Sequence, residues 1–153
     1  MKIAIGADHG GYPLKSDMKI FLETLGHEVL DKGAFDYDAE DDFPDFAAAV
    51  AKAVQIGETD RGIILCGSGV GASITANKFP GVRAGLCHDT YSAAQGVRHD
   101  NMNVLCMGAR VVGSALAEDL VKSFMGANLE HHERFQRRLD KVEAIEREQI
   151  DGS

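Results

Sequence analysis

Gly62-Ile63-Ile64-Leu65-Cys66-Gly67-Ser68-Gly69-Val70-Gly71-Ala72-Ser73-Ile74-Thr75-Ala76-Asn77-Lys78 is the stretch from which the fold is read. Its apolar, β-branched opening suits a buried strand that ends at Cys66. Glycines at alternate positions then break the strand, and small residues with Ile74 lead into a helix. Strand, glycine loop and helix in succession gather bare backbone N–H groups and the positive end of a helix dipole at one point. An anion, or an oxygen that becomes anionic during a reaction, is stabilised there. Cys66 stands in that field, where a thiolate forms more readily than in free solution. A tight turn beside a small buried cysteine would use the same residues. The rule that ligands bind at the carboxyl ends of sheet strands favours the functional reading. No Gly-Lys-Ser/Thr closes the loop and the strict Gly-x-Gly-x-x-Gly spacing is missing, so a nucleotide is not implied.

Outward from this stretch, strands and helices alternate. Lys2 to Gly6 reads as a first strand, followed by Ala7-Asp8-His9-Gly10-Gly11. From Pro13, Leu14, Met18, Phe21, Leu22 and Leu25 recur at helical spacing, and Gly26 is placed to stop that helix. Glu28 to Asp31 is a short strand. Asp36, Asp38, Glu40, Asp41 and Asp42 then form an acidic run that reads as a solvated connection without calcium-loop spacing. Pro44 suits a first helical turn, with Ala47, Val50, Ala51 and Val54 as the buried stripe. Beyond the central stretch, Val82 to Leu86 is a strand and Asp89 caps a helix from Thr90 toward Arg98-His99-Asp100-Asn101. Val104 to Met107 is the last strand. Leu116, Leu120, Val121 and Phe124 mark a helix ended by Gly126, and Phe135, Leu139, Val142 and Ile145 mark a final one. Such alternation predicts a three-layer α/β/α sandwich around a parallel sheet of about five strands, doubly wound in a Rossmann-like way. Residues 1–150 are expected to form a single domain, with 151–153 as a C-terminal tail.

The 153 residues suffice for a core without staples. A formal net charge of −8, with no basic stripe beyond a short cluster near the C-terminus, argues against a nucleic-acid partner. Three cysteines, Cys66, Cys87 and Cys106, in apolar surroundings fit a reducing compartment better than a disulfide framework. No signal peptide or membrane-length run is present, so a soluble, cytoplasmic protein is expected.

In a doubly wound sheet the strand carboxyl ends share one edge. Asp8 and His9, Cys66 to Gly71, Cys87-His88-Asp89 and Gly108 to Arg110 all follow strands, so polar and reactive groups recur there. Asp8-His9 also fits as a cap of the first helix, and His99 as an exposed helix-end residue. Glu130 lies four before Arg134 and Glu133 four before Arg137, which predicts surface ion pairs. Arg138 lacks such a partner and shares a face with Arg134, a good geometry for phosphate. His131-His132 reads as solvated, since no zinc-like spacing accompanies it.

These residues resemble the type B ribose-5-phosphate isomerases, within the wider sugar-phosphate isomerase family that includes galactose-6-phosphate isomerase subunits. The carrying motifs are Gly6-Ala7-Asp8-His9-Gly10-Gly11, Asp31-Lys32-Gly33, Cys66 to Gly71 with Ala76-Asn77-Lys78, Asn103-Val104-Leu105, Gly108 to Gly113 and the terminal arginines. The likeness runs from Lys2 to about Glu146. It implies an aldose–ketose isomerase that interconverts ribose 5-phosphate and ribulose 5-phosphate through an enediolate, in carbohydrate metabolism, with no metal or organic cofactor. By the resemblance, Cys66 is the base, Ser68 an added hydroxyl, and the loop of Gly67, Gly69, Val70 and Gly71 the oxyanion cradle. His99 would open the sugar ring. Asp8, His9, Asp100, Arg110, Arg134 and Arg138 would bind substrate and phosphate. A homodimer or homotetramer with its site between subunits is implied as well. Two departures stand out. The family usually has Asn then an acid after the ring-opening histidine, whereas this chain has Asp100 then Asn101. Phe43 and Phe46 stand where a tyrosine is expected. Both motivate a tetrose or hexose phosphate as an alternative substrate, and a non-catalytic metabolite-binding module is the alternative from another class.

Overall fold

Ile3, Ile5, Ala7, Ile63, Leu65, Leu105 and Met107 alternate with Ala4, Ile64, Cys66, Val104 and Cys106, and the two sets bury against opposite layers of helix. That division follows from the period of two along a strand. The computed structural model describes residues 1–152 and runs β1 (Lys2–Ala7), α1 (Tyr12–Thr24), β2 (Glu28–Asp31), α2 (Phe43–Gln55), β3 (Arg61–Cys66) and α3 (Val70–Ala76). It continues through β4 (Ala84–Leu86), α4 (Thr90–Asp100), β5 (Val104–Gly108), α5 (Ser114–Gly126) and α6 (Glu133–Asp151).

All five strands are parallel, in the order β2-β1-β3-β5-β4. Ile5 pairs with Ile63 and Ile63 with Leu105 across the three central strands. Helices α1, α4 and α5 cover one face, α2 and α3 the other. This is the expected three-layer α/β/α architecture. From β1 the chain crosses outward to β2, whereas from β3 it crosses the opposite way, so the winding reverses between β1 and β3. That crevice is where open parallel sheets bind ligands.

Arg61, at the start of β3, donates from Nη1 to the Phe124 carbonyl at 2.6 Å and from Nη2 to the Ala127 carbonyl at 2.8 Å. These carbonyls lie at the carboxyl end of α5, where a cation offsets both the orphan acceptors and the helix dipole. The final helix departs from its sequence reading. Phe135 and Leu139 are buried, but Val142 and Ile145, on the same apolar face, are 54% and 59% exposed. It reaches Asp151, Gly152 takes a left-handed cap, and Ser153 lies outside the described residues. No helix among the described residues is long and apolar enough to cross a membrane.

Candidate active site

The loops after β1, β3 and β5 meet at the reversal point. Asp8 follows β1, is 7% exposed, and accepts hydrogen bonds at Oδ1 from the amides of Gly10 (2.9 Å) and Gly11 (3.1 Å). The carboxylate therefore holds an Asx-type turn ahead of α1, rather than capping the helix, while still lining the crevice.

Cys66 ends β3. It is only 4% exposed and packs with the apolar residues under α2 and α3, yet its side chain borders the cavity and accepts an N–H from Gly69 at 3.1 Å. That bond depends on Gly69 holding φ at +83°, where a Cβ would also sit 2.6 Å from Leu86 and 2.9 Å from the Met107 carbonyl carbon. On the floor of the site, a Cβ on Gly108 would lie 2.6 Å from the Ser68 backbone, so the two loops approach as closely as only glycine allows. Ser68 Oγ accepts from the Val70 amide at 3.2 Å. Among the described residues, the amides of Gly67, Ser68 and Gly71 donate to no partner. Helix α3 is only 7 residues long, so these directed amides carry the cradle more than a macrodipole does.

Arg110 is anchored from the β5–α5 turn by its amide to the Gly67 carbonyl at 3.1 Å. Asp8, Phe43, Cys66, Gly67, Ser68, Gly71, Arg110 and Val111 enclose a cavity of about 380 Å³. That volume suits a small metabolite rather than a dinucleotide. Phe43 covers Gly71, with its ring 2.6 Å from where a Cβ would project.

His9 brings in a residue that the sequence reading treated as solvated. Its ring Nδ1 lies 2.7 Å from Asp41 Oδ1, which also accepts the His9 amide at 3.0 Å. The Asp41 side chain is 9% exposed, unlike the rest of the acidic run. No local pattern marks Asp41 out from its acidic neighbours. The Asp41 hydrogen bond, with help from the Asp8 charge, raises the His9 pKa above its ordinary value against desolvation of the ring and a smaller push from Arg110. Donor atoms of Asp8, His9 and Asp41 lie within 4.8 Å of one another, the metal-like grouping among the described residues. Asp8 Oδ1 is spent on two amides, and His9 Nδ1 and Asp41 Oδ1 hold each other, so the group forms a hydrogen-bonded network.

The residues after β4 turn out to be structural. His88 Nε2 accepts the Gly108 amide at 2.9 Å, and Asp89 caps α4 through the Ser92 amide at 2.6 Å. Burial pushes the Cys87 thiol up to about 11, and burial drives Cys106 well above its ordinary range.

His99, Asp100, Arg134 and Arg138 do not border this cavity. Helix α4 starts at the carboxyl edge of the sheet and runs back antiparallel to the strands, so its 11 residues carry His99 and Asp100 to the amino edge. At about 1.5 Å per residue that displacement is roughly 16 Å. Asn103, just beyond, accepts the amide of Gly62 near the start of β3, which fixes the location. The His99 ring stacks on Phe135 with centroids 3.9 Å apart, and its Nδ1 lies 2.9 Å from Gln95 Nε2. Asp100 and Arg138 line a separate hollow of about 150 Å³ with Arg83, Leu139 and Val142. Arg134 lies over the Phe135 ring at 4.9 Å. The expected Glu130–Arg134 pair does not form: Glu130 precedes α6 and approaches Arg98 at 4.0 Å and His132 at 3.6 Å. Asn101 takes the left-handed C-cap at φ +52°, a conformation asparagine tolerates well, which accounts for its place after Asp100.

Residues 3–142 match the sequence profile described as Ribose/Galactose Isomerase. Ribose-5-phosphate isomerase B of Escherichia coli is 46% identical over 145 residues, covering 95% of this chain and 96% of that one. D-erythrulose-4-phosphate isomerase of Pectobacterium atrosepticum is 40% identical, covering 85% and 86%. Among solved structures, ribose-5-phosphate isomerase B of Clostridium thermocellum superposes with a TM-score of 0.92 at 45% identity, covering 97% and 99%. That of Mycoplasma genitalium, with bound ribulose-5-phosphate, gives 0.91 at 42% identity, covering 96% and 97%. Sheet, crevice and matches together define a sugar-phosphate isomerase. The chain belongs to the ribose/galactose isomerase family, and its likeness to the type B ribose-5-phosphate isomerases extends over almost its whole length.

Proposed function

We propose that this enzyme interconverts ribose 5-phosphate and ribulose 5-phosphate in the cytoplasm through an enediolate, with no metal or organic cofactor. Cys66, as thiolate, takes the proton from C2 of the open-chain aldose. The C–H electron pair becomes the C1=C2 double bond, and the carbonyl pair moves onto O1. Amides of Gly67, Ser68 and Gly71 stabilise that oxyanion, and the Ser68 hydroxyl is a further donor. Returning the proton from sulfur to C1, while the O2 proton passes to O1, completes the ketose. The observation that carries this reading is the Cys66 sulfur at the mouth of a cradle of unpartnered amides, in the crevice where the winding reverses.

Asp8, His9 and Arg110 serve as substrate contacts in this reading, and His99 opens the furanose ring. Within one chain His99, Asp100, Arg134 and Arg138 lie apart from the Cys66 cavity, so we infer that a second copy supplies them in a homodimer or a tetramer built from dimers. The test is proton NMR of ribose 5-phosphate in deuterium oxide. Deuterium should appear at C2 of the aldose or C1 of the ketose with the native enzyme and not with Cys66→Ala. Full exchange with that variant would remove the base from the scheme.

A tetrose phosphate is the second reading. A relative named D-erythrulose-4-phosphate isomerase favours it, as does Asp100, whose ionised carboxylate accepts but does not donate hydrogen bonds. A substrate panel in which the tetrose phosphate exceeds ribose 5-phosphate in kcat/KM would establish it.

A further inference from the structure

We propose that Asp41 is the positioning residue for His9, gripping Nδ1 of the imidazole so that Nε2 is left to bind the anionic end of the substrate. The inference rests on the reading of this crevice as a sugar-phosphate site. One oxygen, Oδ1, accepts both the ring nitrogen at 2.7 Å and the His9 amide at 3.0 Å, so a single carboxylate fixes backbone and ring together. Its other oxygen, Oδ2, is buried and meets no donor among the described residues. A carboxylate present only for solubility would keep both oxygens hydrated, since an unsatisfied buried acceptor is costly. Asp36, Asp38, Glu40 and Asp42 of the same run are exposed as solubility requires, and Asp41 alone is drawn in to a histidine.

Three charged groups face the ring: Asp41 from the β2–α2 connection, Asp8 from the β1–α1 turn, and Arg110 from the β5–α5 turn. The Asp41 hydrogen bond and the two carboxylates favour the imidazolium, while desolvation of the ring and, more weakly, Arg110 oppose it. The balance raises the pKa from 6.5, so the cation persists where free imidazole is already neutral. A phosphate monoester becomes a dianion above about pH 6. Imidazolium and dianion then coexist across a window whose lower limit the phosphate sets and whose upper limit Asp41 sets. Within one chain, His9 joins Arg110 as a second cation for that dianion, beside the arginines a second copy supplies.

The test begins with imidazole NMR titration of the native enzyme, the His9 signal being assigned with His9→Gln. A His9 pKa above 6.5 is expected, and a value at or below it overturns the proposal without any variant. Asp41→Asn keeps the shape and removes the charge. His9 should titrate at lower pH in it, and an unchanged value overturns the proposal. For ribose 5-phosphate at pH 8, Asp41→Asn should raise KM several-fold, with kcat far less affected. The two enzymes should converge toward pH 6, and Asp41→Glu should recover part of the affinity. An equal loss of kcat at every pH would mark a purely structural role and overturn the proposal. If no aldose phosphate is turned over, the isomerase reading fails on its own. Inorganic phosphate, titrated from pH 6 to 8 against both proteins, still decides the role of Asp41.

Discussion

Cys66, Cys87 and Cys106 are all unpaired thiols, and their surroundings give them different chemistry. Cys106 is sealed between β3, β4 and the α2–α3 layer, and the Cys87 thiol stands at about 11 through burial and the nearby Asp89 carboxylate. At pH 8 a thiol of that pKa is about one part in a thousand thiolate, and thiolate is the reactive form. Cys66 is the one that borders the cavity. Brief treatment with iodoacetamide at pH 8 should therefore label Cys66 and spare the other two, as read by peptide mass spectrometry. Prior saturation with a sugar phosphate should slow the labelling. Labelling of Cys87 ahead of Cys66 would contradict this placement. Removing a general base typically costs on the order of 10²- to 10⁴-fold in rate, which sets the loss expected for Cys66→Ala.

At the scale of elements, two connections decide where chemistry is placed. The β2–α2 connection, which carries Asp41, is tied at its start by Lys15 of α1. That side chain is 4% exposed, with Nζ 2.8 Å from Asp31 Oδ1 and a further bond to the Ala34 carbonyl, while Asp31 Oδ1 also accepts the Gly33 amide at 2.9 Å. Lys15→Met fills the space but strands the carboxylate. Breaking such a buried pair costs on the order of 3 kcal/mol, measurable by urea unfolding. A change below 1 kcal/mol, the range of about 0–1 typical of surface pairs, would show the contact to be no stronger than those. The second element is α4, which delivers His99 to the amino edge. If His99 opens furanose rings, His99→Asn should lose activity on ribose 5-phosphate and retain it on erythrose 4-phosphate. The tetrose cannot close a furanose, because its O4 carries the phosphate. Equal losses on the two substrates would exclude a ring-opening role.

For the whole molecule, the groups proposed for catalysis lie on opposite edges of one sheet, and a pair of chains related by a two-fold axis would join each edge to the partner's other edge. Cys66→Ala and His99→Asn subunits would each be inactive alone. Dissociated and reassociated in equal amounts, half the dimers are mixed and each mixed dimer has one intact site of two, so about one quarter of native activity should return. No recovery, with exchange of subunits verified by mass spectrometry, would mean that each chain works alone.

Local physics was enough for much of this protein. The β2 strand Glu28–Asp31, the Asp89 cap with α4 starting at Thr90, and the strand ending at Cys66 were all legible, because periodicity, capping and glycine placement act over a few neighbouring residues. The glycine turn that follows Cys66 was legible for the same reason. Only the tertiary structure decided that β5 lies between β3 and β4, that Asp41 leaves the solvated acidic run for His9, and that His99 stands at the far edge of the sheet. Those outcomes depend on how strands order themselves and on which distant loops meet, and such contacts leave no spacing in the chain to be read.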